Sequence, residues 1–118
     1  MQTDEFIARV TQIEPLKAVN EHAIRTWGAD LKNLLCGYLG QGIVDHYDGF
    51  TPQQKAYLCD TIEAGMDKGD ESLKTAIATG LLEALHQRAM RLHRWEEIKP
   101  LLGPHAMNYL HAWINSPY

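Results

Sequence analysis

Carboxylates raise the first chemical question in this sequence. Asp60, Glu63, Asp67 and Glu71 follow one another at intervals of three, four and four residues, which on a helix makes one row of acids. Such a ladder suits two chemistries. In helical hydrolases it holds a magnesium ion, but a facing helix must then supply a second pair of carboxylates, and here Glu83 stands alone. The other chemistry is recognition of a basic protein surface. Asp45 and Asp48, just before the helix, extend the set, so Asp45, Asp48, Asp60, Glu63 and Asp67 are the candidate partner-binding residues. They lie outside the first turn that begins at Thr51, gain little from the helix dipole, and answer no evident core or capping need. Reversing Asp60, Glu63 and Asp67 to lysine is therefore expected to weaken binding and leave the fold intact. If these acids do not carry the contact, the glycine-rich segment 36–50 is the next candidate.

The remaining reactive residue types are not arranged for chemistry. His86 and His93 share a helical face but lie about 10 Å apart along the axis, too far for one ion whose ligands sit ~2 Å away. His105 and His111 fall on different faces, and neither HExxH nor paired cysteine ligands occur. Cys36 and Cys59 read as reduced, buried side chains, with no His and third orienting group close in sequence. Ser72 and Ser116 sit at a helix start and in a tail, away from any nucleophile elbow. Gly37, Gly40 and Gly42 lack the preceding strand, the order GxGxxG and the following Lys-Ser/Thr of a phosphate cradle. The expectation is a protein without catalytic residues, metal or cofactor. Arg88, Arg91 and Arg94 advance by three and could meet phosphates. Helix-dipole complementation and pairing with Glu96 and Glu97 account for them more simply, and a net charge of −4 speaks against a nucleic-acid partner.

These residues are positioned by an all-α pattern. In the stretch from Asp70 to Leu92, Leu73, Ile77, Leu81 and Leu85 recur every four residues, and Leu82 and Leu92 widen the row into a broad apolar stripe. A helix of this kind belongs at the centre, packed on more than one side. Gly80 inside it implies a neighbouring helix crossing close to the backbone. Asp70 is its N-cap. Thr51-Pro52-Gln53-Gln54 combines an N-cap threonine, proline at the first helical position and glutamine at the third, a capping box. That helix carries Leu58, Ile62 and Met66, closes at Lys68-Gly69, and is expected to lie antiparallel to the central one. Towards the N-terminus, Thr3 caps a helix with Phe6, Ile7 and Val10. Pro15 opens a second, with Leu16, Val19, Ala23, Ile24 and Trp27 on one face and Gly28 as its stop. Residues 29–50 read as a helix through Leu31, Leu34, Leu35 and Leu39, a break at Gly40–Gly42, and a short piece with Ile43, Val44 and Tyr47. Trp95, Ile98, Leu101 and Leu102 form a short element tightened at Pro100, and Gly103-Pro104 starts a last helix with Met107, Leu110, Trp113 and Ile114.

The expected whole is one domain spanning 1–118, a bundle of about six helices, with segments 52–92 and 95–114 suggesting helical-repeat-like antiparallel pairs. A length of 118 residues, 45% apolar and 22% charged, supports one core. No apolar run approaches the ~20 residues of a membrane span. The N-terminus lacks the basic start and apolar centre of a secretory signal. No membrane partner and a cytoplasmic location are the expectation. Charge is unevenly placed, with seven acids and two lysines between Asp45 and Glu71 and four bases and two acids between Arg88 and Lys99. Asymmetry of this kind is a hint about partners.

Two segments, GDESLKTAIATGLLEALHQRA and WEEIKPLLGPHAMNYLHAW, carry a family likeness. A Gly-Asp turn opens a helix with the core segment Leu82-Glu83-Ala84-Leu85, a Leu102-Gly103-Pro104 step introduces the last helix, and Glu14-Pro15-Leu16 to Glu21-His22 also fits. In these the chain resembles a group of small all-helical bacterial proteins encoded beside polymorphic toxins and regarded as immunity proteins. The resemblance implies binding to a cognate toxin domain, blocking its active site or substrate path. Its motifs are structural and carry no binding residues across, and residues 29–50 fit it least. Two other readings stand beside it: a helical adaptor module without a toxin partner, and a small metal-dependent hydrolase.

Overall fold

The structure, a computed structural model, describes residues 1–115; Ser116 and the rest of the expected tail lie outside the described residues. There it is all helical, with seven helices and no strand. They are α1 (Thr3–Val10), α2 (Glu14–Trp27), α3 (Lys32–Asp45), α4 (Pro52–Lys68), α5 (71–91), α6 (Trp95–Ile98) and α7 (Pro104–Ile114). Short 3₁₀ turns cover Tyr47–Gly49 and Lys99–Leu101. Among the described residues no helix is long and apolar enough to cross a membrane.

The central helix is α5, and its middle, Ala76–Leu82, is wound as a π-helix between two α-helical pieces. Leu73, Ile77, Leu81, Leu82 and Leu85 are all buried, as their spacing requires. On one side α5 meets α4 in antiparallel sense. Gly65 faces the Ile77 side chain, and a Cβ there would stand 2.4 Å from its Cδ1. On the other side it meets α3, and contacts advance in the same direction along both helices, from Asn33–Thr79 to Asp45–Arg88. The backbones nearly touch. A Cβ on Gly40 would lie 2.3 Å from the Leu81 carbonyl oxygen, and one on Gly80 would lie 2.7 Å from that of Asn33.

This contact explains why α3 runs unbroken from Lys32 to Asp45 through the glycines where a break at Gly40–Gly42 was expected. Gly40 and Gly80 are where two main chains approach, and Gly42 makes room for Leu16 and Val19 of α2. Removal of side chains, which weakens an isolated helix by about 1 kcal/mol per glycine, here permits the packing that holds it.

The end signals hold, with local corrections. Thr51 and Gln54 form the capping box, with bonds of 3.1 and 2.9 Å. Asp70 accepts from the Leu73 amide at 2.8 Å. Gly28, at φ +86°, ends α2. Thr3 is inside α1 and Gln2 holds the cap position, without a side-chain bond. Glu14, not Pro15, is the first residue of α2. Leu92 is 41% exposed because the helix has ended before it. His93 then turns the chain at φ 56°, and the Arg94 and His93 amides donate back to the carbonyls of Ala89 and Met90, a Schellman ending with histidine in the usual glycine place. Trp27 and Ile114, expected on buried faces, are about half exposed, at 50% and 47%. Cys59, expected buried, is partly exposed. Helices α6 and α7 are too unequal to make a second repeat-like pair.

Gly40→Ala is expected to destabilise the fold by about 1–3 kcal/mol through overpacking against backbone that cannot yield, despite alanine's better helix propensity. Leu81→Ala is expected to cost about 2–5 kcal/mol. Urea denaturation of both variants checks the α3–α5 contact; an unchanged Gly40→Ala midpoint would disprove it.

Candidate functional site

Three of the five candidate acids are bonded to other parts of the fold. Asp45, at the end of α3, receives the Arg88 guanidinium at 2.8 Å. Asp48 accepts from Arg94 at 2.6 Å, and Arg94 also binds Glu97 at 2.7 Å. The Arg94 guanidinium holds the Glu97 carboxyl below its ordinary value. The acidic and basic stretches of the sequence thus meet each other across the fold. Glu96 pairs with Lys99, and Lys55 lies over the Tyr47 ring at 4.1 Å, a cation–π contact. Arg88 and Arg94 are occupied in these bonds.

Glu63 has a structural task that the sequence reading missed. Helix α7 begins Gly103-Pro104-His105-Ala106, and Gly103 has no side chain to cap it. Glu63 reaches across from α4 and does so instead: Oε1 accepts from the His105 amide at 2.8 Å and Oε2 from the Ala106 amide at 3.0 Å. Gly103 leaves room for this carboxylate, since a Cβ there would stand 2.6 Å from it. The same Oε1 lies 3.2 Å from His105 Nδ1, and Asp67 lies 3.8 Å from Nε2. The lysine reversal expected to leave the fold intact would therefore uncap α7. A Gly-Pro helix start without its own capping side chain, with an unexplained acid on the partner helix, was the available signal. Asp60 and Asp67 are the acids of the set left exposed on α4, with Asp60 beside Arg9 and Tyr57.

Among the described residues no three His, Cys, Asp or Glu gather as metal ligands. Burial pushes the Cys36 thiol up to about 12, and it stays protonated under α5. Burial, then Glu63 and Asp60, raise Cys59. His86 sits edge-on to Trp95 and Trp113, with ring centres 4.6 and 5.5 Å away, and its Nδ1 is buried without a partner among the described residues.

Two of the concave surfaces flank α3. Between α3 and α5 a groove of about 330 Å³ is lined by Leu34, Tyr38, Gln41, Thr79, Glu83 and Gln87 over a floor of Gly37, Gly80 and Ala84. Between α2 and α3 a second, of about 360 Å³, shares Tyr38 and Gln41 and adds His22, Asp45 and His46. At the end of α2 and the start of α3, Trp27, Leu31 and Leu34 are exposed by 50, 52 and 37%, and the Trp27 indole donates to the Tyr38 hydroxyl at 2.9 Å. Within the first groove Glu83 accepts a hydrogen bond from the Tyr109 hydroxyl, whose pKa burial and that bond push up to about 12. The site that geometry offers is thus an apolar corner leading into a groove of polar groups with one carboxylate, Glu83. No family model, curated protein or solved structure matches the chain.

Two outcomes follow from this chemistry. Glu63→Ala is expected to lower the unfolding free energy by about 1–3 kcal/mol, the range for a cap and for bonds to a charged acceptor. Asp60→Ala and Asp67→Ala should each change it by less than about 0.5 kcal/mol, and urea titrations compare the three. Burial lowers the His86 pKa from its ordinary 6.5, so the unfolded chain takes up the proton first as pH falls. Its contribution is complete above about pH 6.5 and declines below it. His86→Phe should flatten the fall of the melting temperature between about pH 7.5 and pH 5; an unchanged slope would show that other groups set it.

Proposed function

We propose that this chain acts by binding another protein, as an immunity protein that holds a cognate toxin domain in a stoichiometric complex and blocks its active site or substrate path without any turnover of its own. The observation that supports the reading best is the exposed corner of Trp27, Leu31 and Leu34 beside a groove lined by polar groups, Tyr38, Gln41, Glu83 and Gln87. Aromatic and large apolar side chains of this kind are typical anchors of protein interfaces. The resemblance of segments 69–89 and 95–113 to toxin-neutralising helical proteins supplies the identity of the partner, and a cytoplasmic location goes with that role.

The acids keep a part in this reading, at longer range. Asp45, Asp48 and Glu63 are engaged within the fold, whereas Asp60 and Asp67 stand exposed on α4. With the net charge of −4 they would speed encounter with a basic toxin surface and make association depend on salt. The contact itself falls on the α2–α3 corner. The hydrolase reading loses support, because Glu63, the second carboxylate of the ladder, faces the amides of α7. The adaptor reading uses the same corner and differs in what binds there.

Co-expression with the product of the adjacent upstream gene separates these readings. A toxin product should cease to arrest growth, and the two chains should co-purify in equal amounts. A toxin that kills regardless, from which this chain elutes separately, would overturn the immunity reading.

A further inference from the structure

Gly37 is a glycine that the fold does not use. Gly40, Gly42 and Gly80 admit neighbouring main chain or side chains, but a Cβ on Gly37 would meet only the Gly80 carbonyl oxygen, at an ordinary 3.7 Å. A helix-weakening residue in the middle of α3 therefore leaves space that no described residue fills. The space is the floor of the groove between α3 and α5. The groove is bridged at one end by Asn33 and Thr79, 3.0 Å apart, and beyond Gln41 and Gln87 by the Asp45–Arg88 ion pair at 2.8 Å. Its α5 wall includes Thr79 and Gly80 of the π-helical turn, and π turns recur at functional sites.

The lining states what fits. Gln41 and Gln87 present carboxamides that no described residue engages, each offering both donors and an acceptor. An extended polypeptide has free N–H and C=O groups at every residue to pair with them; a helix has its own bonded internally. Glu83 is the single charged group of the groove. One of its oxygens takes the Tyr109 hydroxyl, and among the described residues no cation pairs with it. Leu34 stands at the rim beside Trp27 and Leu31. The geometry points to an extended segment of a partner protein as the occupant, its main chain between Gln41 and Gln87 over Gly37, a Lys or Arg reaching Glu83, and an apolar side chain against Leu34. The assignment deepens the binding function proposed above and rests on it.

The test uses the full chain and a displayed library of random heptapeptides. Panning on the wild type, with counter-selection on Gly37→Leu, should enrich peptides with a Lys or Arg and a large apolar residue. As synthetic peptides they should bind the wild type at least tenfold more tightly than Gly37→Leu. Glu83→Gln, which retains an acceptor for Tyr109, should weaken them and abolish the salt dependence. Melting curves verify that the variants are folded, and Gln41→Ala/Gln87→Ala serves in place of Gly37→Leu if the latter is not. Absence of enrichment, acidic consensus peptides, or equal binding to wild type and variants would overturn the assignment. So would a wild-type dimer that Gly37→Leu converts to monomer, since the occupant would then be a second copy. Toxin neutralisation that survives Gly37→Leu removes the groove and leaves the immunity reading; peptide capture without neutralisation removes the immunity reading and leaves the groove.

Discussion

The near-contact of two main chains at Gly40 and Gly80 is the constraint on which the remaining architecture rests. Helices usually pack at 8–10 Å, with side chains filling the space between them. Here the Leu81 carbonyl occupies the place where a Gly40 side chain would begin, and the Asn33 carbonyl faces Gly80 in the same way. Nothing larger than hydrogen is admitted at either position. The close crossing brings Cys36, Leu39 and Ile43 of α3 against the buried row of α5. It coincides with the π-helical turn, where Thr79 accepts from Asn33 and donates to the Thr75 carbonyl at 2.8 Å. With one side of α5 committed to α3, its other side receives α4, and α4 in turn carries α7 through Glu63.

Electrostatics in this protein are largely internal and fasten the edges of segments whose apolar side chains, Tyr47 and Ile98 among them, already reach the core. Asp45–Arg88 ties the end of α3 to α5, and Arg94 gathers Asp48 and Glu97 just after the Schellman turn at His93. Each such pair is screened by solvent and adds little to stability. Their effect is on geometry: they hold the Tyr47–Gly49 turn and the short helix α6 against the bundle. Glu63 differs from them. Its side chain is 17% exposed and meets main-chain amides at a helix start, where a carboxylate is stabilised by both the bonds and the dipole. A charge counted from the sequence as free for a partner is in this way part of the scaffold.

What was legible in the sequence was whatever depends on neighbours along the chain. The Thr51–Gln54 box, the Asp70 cap, the stop at Gly28 and the leucine row of α5 are local patterns, and they form as read. The crossing at Gly80 was legible because a glycine inside a strong helix needs a reason. Gly40 and Gly42 carried the same signal, but three glycines in six residues also read as a break. Only the facing backbone of Leu81 and the side chains of α2 decide between the two. The partners of Asp45, Asp48 and Glu63 lie 43, 46 and 42 residues away, and no spacing rule reaches that far. Trp27 and Leu92 were placed in the core by periodicity, although each stands at a helix end where the face it belongs to has run out.

The glycines of α3 separate two uses of the same residue. At Gly40 the missing side chain is matched by backbone, and at Gly42 by Leu16 and Val19; at Gly37 a Cβ would meet, among the described residues, just the Gly80 carbonyl oxygen at 3.7 Å. Internal packing therefore accounts for two of the three and leaves one over. The same division runs through the polar groups, since Asn33 and Thr79 satisfy each other while Gln41 and Gln87, farther along the same walls, do not. It runs through the charges as well, because Asp45 has Arg88 and Glu83 has only a hydroxyl. An unused glycine, two idle carboxamides and an uncompensated carboxylate fall within one groove, next to exposed Leu34 and Trp27. These leftovers of size, hydrogen bonding and charge at one place are what the proposed binding function draws on.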